Sequence, residues 1–212
     1  MNQPSPTAPE TGARRERERL LRRQAILSAA ERVFALHGFE AATIEQIARE
    51  AEYAAGTIYL YFKDKHALYG ALFANKLSVM VDQVEQSAQA AAPANPADRL
   101  RHAIRAQFEF HDANREFFAV LMRHHQGPPA AGTADWKTIG QTLQRHHSIL
   151  AGLIARLQRR KIIRPGDSAD LATALLGMVI HLTRAAMRDG HQPLAAKTDF
   201  VFQLFMTGTQ RD

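Results

Sequence analysis

An all-α fold is predicted by three observations on this 212-residue chain. Apolar residues recur three and four apart along most of it, no stretch beyond Lys65 alternates in the β manner, and Gly/Pro clusters separate the periodic segments. The expected architecture is an N-terminal three-helix unit containing a helix-turn-helix, followed by a larger C-terminal helical unit. Its divisions are a flexible basic arm over 1–18, the helix-turn-helix over 19–65 and the helical remainder over 66–212.

The first helix is placed at Arg19 to His37, with Ile26, Ala29, Ala30, Val33 and Phe34 as its core stripe. Gly38 serves as its C-terminal cap before Phe39 re-enters the core. A second helix should start at Ile44, because Thr43 and Gln46 have the spacing at which hydroxyl and amide cap each other's backbone N–H groups. Ile44, Ile47, Ala48 and Ala51 form its narrow apolar stripe, and Glu52-Tyr53-Ala54 breaks it as a turn. From Ala55 to Phe62 a third helix turns Ile58 and Phe62 inward, leaving Gly56, Thr57, Tyr59, Leu60 and Tyr61 outside.

A long helix from His66 to about Ala91, carrying Leu68, Leu72, Leu77, Val81 and Val84, links the two units and is ended by Pro93 and Pro96. Further helices are expected at Ala97–Asp112, Asn114–His125, Ala134–Ile162, Ser168–Asp189 and Thr198–Thr207. Loops fall at Gln126–Thr133 and Arg164–Asp167.

Exposed tyrosines beside a glycine make poor solvated surface but a good groove-facing one. Tyr and Thr hydroxyls bond phosphate oxygens, and glycine lets the backbone come close. Lys63 and Lys65 follow where ammonium groups clamp a phosphate flank. The pattern implies a helix-turn-helix whose second helix enters the major groove of double-stranded DNA.

From about Arg23 to Phe73 the chain resembles the TetR/AcrR family of bacterial transcriptional regulators. The resemblance rests on Ala29-Ala30-x-x-Val33-Phe34, Gly38-Phe39, Thr43-Ile44, Ile47-Ala48, Ala51 and Gly56-Thr57-Ile58-Tyr59-Leu60-Tyr61-Phe62-Lys63-Asp64-Lys65-x-x-Leu68. It implies phosphate contacts at Thr43, Thr57, Tyr59, Tyr61 and Lys65, and base readout around Ala55, Gly56 and Leu60. The chain departs from the family pattern at Glu52, Tyr53, Ala54 and Ala55: the third helix lacks a capping hydroxyl, and Ala55 offers only apolar contact, such as with a thymine methyl. The run from Arg14 to Arg23, six arginines against two glutamates, is either a solvated or frayed arm or, as in some members, a source of added DNA contacts.

Composition sets bounds. Without cysteine there is neither a disulfide framework nor a thiolate metal site, and no window approaches eighteen consecutive apolar residues, so a cytoplasmic protein with no membrane partner is expected. The net charge of +6 suits an anionic partner, yet ten Lys+Arg against nine Asp+Glu through Asn75 leave most of the excess outside the helix-turn-helix.

The resemblance implies a homodimer. Its candidate interface is Leu171, Leu175, Gly177, Met178 and Leu182 on one helix, with Phe200, Val201, Phe202, Leu204 and Phe205 on the last; the alternative is that these merely close the protomer's core. It also implies a pocket for a small-molecule effector, hydrophobic or amphiphilic, with Phe108, Phe110, His111, Phe117, Leu121, Met122, Trp136, Leu150, Ile154, Met178 and His181 as candidate lining, though ordinary core packing accounts for most of these. His124-His125 and His146-His147 offer metal ligands only singly, because adjacent helical residues point about 100° apart. They read as solvated surface histidines, with no metal or cofactor expected. No phosphate loop, nucleophile elbow or HExxH motif points to an enzyme, and a non-specific architectural DNA binder would leave most of the chain beyond Lys65 unexplained. The expected function is a ligand-responsive repressor that binds a palindromic operator.

Overall fold

The computed structural model describes residues 8–90, 95–124, 136–189 and 193–210, with the side chains of 8–11, 90, 120–124 and 189 outside the description. No strand occurs among the described residues. The chain separates into two compact units between Leu72 and Phe73, within α4.

In the first unit, α1 (Ala8–Ala41) begins well before the expected Arg19, so the segment read as an arm is helical from Ala8 onward. Exposed pairs one turn apart, Arg14–Glu18 at 3.1 Å and Arg19–Glu16 at 2.9 Å, support it there. The helix breaks at Gly38, whose φ of 75° and ψ of 170° belong to a region open essentially only to glycine. Ile26, Leu27, Ala29, Ala30, Val33 and Phe34 are buried along its core face, and Phe34, Phe39 and Tyr69 pack edge-on or tilted with centroids 4.9–5.7 Å apart.

α2 (Ile44–Glu50) starts as its capping pattern requires. Gln46 N–H donates to Thr43 Oγ1 at 3.2 Å and Thr43 N–H to Gln46 Oε1 at 2.9 Å. It ends with Glu52 in the left-handed region (φ 59°), where Glu52 N–H donates to Arg49 O at 3.1 Å and Tyr53 N–H to Ala48 O at 2.8 Å. α3 (Ala55–Tyr59) is shorter than expected, because bonds from Leu60 to Thr57 O and from Tyr61 to Ile58 O tighten its last turn. Phe62 N–H still reaches Ile58 O at 2.9 Å, so Ile58 and Phe62 are both buried. An Arg32–Glu50 ion pair at 2.6 Å ties α1 to α2.

α4 (Lys65–Ala90), divided between the units, is followed in the second by α5 (Pro96–Ala113), where Asn95 caps Ala97 N–H at 3.0 Å and Pro96 takes the first helical position. Then come α6 (Arg115–His124), α7 (Trp136–Arg159), α8 (Ser168–Asp189), a 3₁₀ turn (Leu194–Lys197) and α9 (Thr198–Gly208). Pro93 and the loop expected at 126–133 lie outside the described residues. α7 packs along α8, while α5 touches α7, α9 and the 3₁₀ turn. Leu100, Ile104, Phe108, Leu150, Ile154, Leu175, Val179, Val201 and Phe205 belong to one buried cluster.

Polar ties fix this packing. Asp112 accepts Leu194 and Ala195 N–H at 2.9 Å each, and Arg145 on α7 pairs with Asp82 at 2.6 Å and with Glu85 on α4. α7 ends as α2 does, on a left-handed non-glycine, Lys161 (φ 57°), with Ile162 N–H bonded to Leu157 O at 3.0 Å. By length and composition alone α8 is apolar enough to cross a membrane, yet only 22% of that stretch is buried within the protomer.

Candidate nucleic-acid interface and effector site

α2 and α3 present a continuous outward surface. On α3, Tyr59 is 53% and Leu60 83% exposed, Thr57 and Tyr61 are half-buried, and a Cβ built on Gly56 meets nothing within 4 Å. The protomer's packing therefore does not require a glycine at 56, whereas close approach of an external backbone would. Thr43 is exposed; its oxygen accepts the Gln46 N–H, leaving the hydroxyl proton for an outside acceptor. Ala54 holds cap geometry (φ −69°, ψ 146°) without a side-chain bond, as its composition dictates. Beside this surface, Arg19 of α1 lies within electrostatic reach of Tyr61, and the Arg23 guanidinium sits 5.3 Å from the Phe62 ring centroid.

Lys65, expected at a phosphate, is engaged within the protomer. Its ammonium donates to the carbonyls of Phe39, Glu40 and Ala42 at 2.7, 2.9 and 3.0 Å and lies 4.6 Å from the Phe39 ring centroid. All three protons are used to satisfy carbonyls beyond the Gly38 break, so a phosphate clamp through Nζ would have to break one of these bonds. Exposed Lys63 is the neighbouring ammonium left facing solvent.

Of the residues expected at a dimer interface, Leu175 and Phe205 are 0% and 4% exposed and belong to the protomer's own core. Leu171, Met178, Leu182 and Phe202 are half-buried against that core, and Gly177 has open space where a Cβ would stand. The apolar side chains left outside on these helices are Ile180 (42%), Phe200 (57%) and Leu204 (51%). Period alone places Leu171 and Leu175 on one stripe without telling which neighbour that stripe meets.

The candidate effector residues divide similarly. Phe108, Phe110, His111, Phe117, Leu150 and Ile154 are buried, with His111 stacked 4.6 Å from Phe118. Trp136, 38% exposed at the start of α7, and His181, exposed on α8 with Nδ1 bonded to Gly177 O, do not join them. The side chains of Leu121, Met122, His124 and His125 lie outside the described residues.

His146, expected on the solvated surface, is only 3% exposed, and its Nε2 has no hydrogen-bond partner among the described residues. Burial lowers its pKa to about 4, with smaller contributions from His111 and His147. His111 is lowered too, by burial, against an opposing bond from Nδ1 to Gln107 O at 2.7 Å. His147 faces the other way, its Nε2 near Ala169 O and Thr173 Oγ1. Among the described residues no three metal-ligating side chains gather.

The fold and its outward surface define a helix-turn-helix protein. A family model of the bacterial regulatory proteins, tetR family, matches residues 26–72, and one of the tetracyclin repressor-like C-terminal domain matches 93–209. The chain belongs to the TetR family of DNA-binding transcriptional regulators, which are not enzymes. It is 36% identical to the HTH-type transcriptional regulator HbdR of Aromatoleum sp. over 102 residues, 48% of this chain and 44% of that one. It is 25% identical to the fatty acid metabolism regulator protein of Bacillus subtilis over 185 residues, 86% of this chain and 93% of that one. Among solved structures, FadR of Bacillus subtilis in complex with stearoyl-CoA shares the fold with a TM-score of 0.72 at 24% identity, covering 87% of this chain and 98% of that one.

Proposed function

We propose that the protein is a dimeric repressor that binds a near-palindromic operator and is released by a long-chain acyl-CoA. The observation that carries the DNA reading is the exposed Gly56, Tyr59 and Leu60 on a helix whose other face, Ile58 with Phe62, is buried. Thr43, Thr57, Tyr59 and Tyr61 serve as phosphate donors, while Ala55, Gly56 and Leu60 meet the base edges. Lys63, rather than the carbonyl-bonded Nζ of Lys65, supplies the neighbouring ammonium.

Dimerisation is supported by the exposed Ile180 on the apolar α8 and by the exposed Phe200 and Leu204. A two-fold axis through that face repeats the reading head about one DNA turn away. The acyl class of effector is supported by the fatty acid metabolism relative, the stearoyl-CoA complex of a protein with this fold and a second-unit core rich in Phe and Leu. Ligand binding acts through its differential affinity for DNA-competent and DNA-incompetent states, and a DNA target supports a cytoplasmic location. Selection from a random duplex library tests the DNA reading. It should return an inverted repeat, whereas enrichment of no sequence would contradict it.

A further inference from the structure

We propose that His146 is the polar anchor of the effector site, its Nε2–H donating to the carbonyl oxygen of an acyl ligand whose chain lies among the neighbouring apolar side chains. The inference rests on the acyl-effector reading and deepens it by naming the recognised group and the residue that recognises it.

On α7 the buried positions Ile139, His146, Leu150 and Leu153 follow one stripe, and only His146 in that stripe is polar. An imidazole in place of an aliphatic side chain there leaves a nitrogen with no hydrogen-bond partner among the described residues. Buried polar atoms in native proteins have partners, so an orphan of this kind points to a partner that arrives from outside. α5, packed against α7, adds the other two polar groups, Gln107 (3% exposed) and His111 (9%). Because a carbonyl oxygen only accepts, the His111 Nδ1 bonded to Gln107 O carries the proton.

The charge of the ligand's polar group follows from what is missing. No lysine or arginine is among the buried described residues, and burial keeps both imidazoles neutral near pH 7. Among the described residues a free carboxylate would find no buried counter-charge, whereas a neutral carbonyl needs only one donor.

The test compares palmitoyl-CoA with S-hexadecyl-CoA, a thioether lacking the carbonyl oxygen, on the full chain by calorimetry. Wild type should bind the thioester about five- to tenfold more tightly. His146→Leu should bind both alike and, with its orphan nitrogen gone, unfold at higher temperature without ligand; His146→Gln, which restores a donor, should recover part of the preference and guards against a misfolded leucine variant. An unchanged preference in both variants would overturn the anchor and leave the acyl reading standing. Failure of palmitoyl-CoA to bind wild type would overturn both.

Discussion

Single residues separate what holds the head together from what touches DNA. Lys65 belongs to the first group: Lys65→Met strands three carbonyls, and should cost on the order of 2 kcal/mol in urea unfolding while leaving the salt slope of DNA binding unchanged. Gly56 is proposed for the second. Gly56→Ala has open space for its methyl and should stabilise the fold by up to about 1 kcal/mol while weakening DNA affinity, so a stable variant with unaltered affinity would remove Gly56 from the interface. Sequence pattern made Gly56, Tyr59 and Leu60 legible because an inward stripe at Ile58 and Phe62 leaves them no other side to face. It could not reveal the Lys65 role, since the acceptors are main-chain carbonyls created by the break at Gly38. The burial of His146 is hidden for a related reason: its neighbour His147 is only half-buried, and pattern alone does not choose between two adjacent polar residues.

At the scale of elements, boundaries are legible where a local signal marks them. The Thr43–Gln46 capping box fixed the beginning of α2, because reciprocal bonds need that spacing and few others satisfy it. The ends of α2 and α7 both use a left-handed residue that is not glycine, Glu52 and Lys161, and such ends lack the usual signal. Glu52→Gly should relieve that conformation and raise the stability of the first unit by about 1 kcal/mol, read as a shift in the urea midpoint at constant slope. The start of α1 was placed too late, although Arg14–Glu18 and Glu16–Arg19 already stood at helical spacing. On α8 and α9 the apolar content was legible, but which side faces the core depended on α7 and α5, whose placement no local period encodes.

For the whole molecule, the buried histidines link folding to pH. His146 titrates near 4 when folded against an ordinary 6.5, so between these values the unfolded chain takes up a proton that the native chain refuses. Stability should be flat above about pH 6.5 and fall on acidification by at most about 1.4 kcal/mol per pH unit for this group, with His111 acting in the same direction. Urea unfolding of wild type and His146→Leu should therefore converge in slope at neutral pH and diverge below it. The proposed function couples a ligand to DNA, and fluorescence anisotropy of the selected operator duplex, titrated with protein in the absence and presence of saturating palmitoyl-CoA, tests that coupling most directly. The expected result is a half-saturation point raised at least about tenfold by the acyl-CoA, a coupling of roughly 1.4 kcal/mol; identical curves would contradict it.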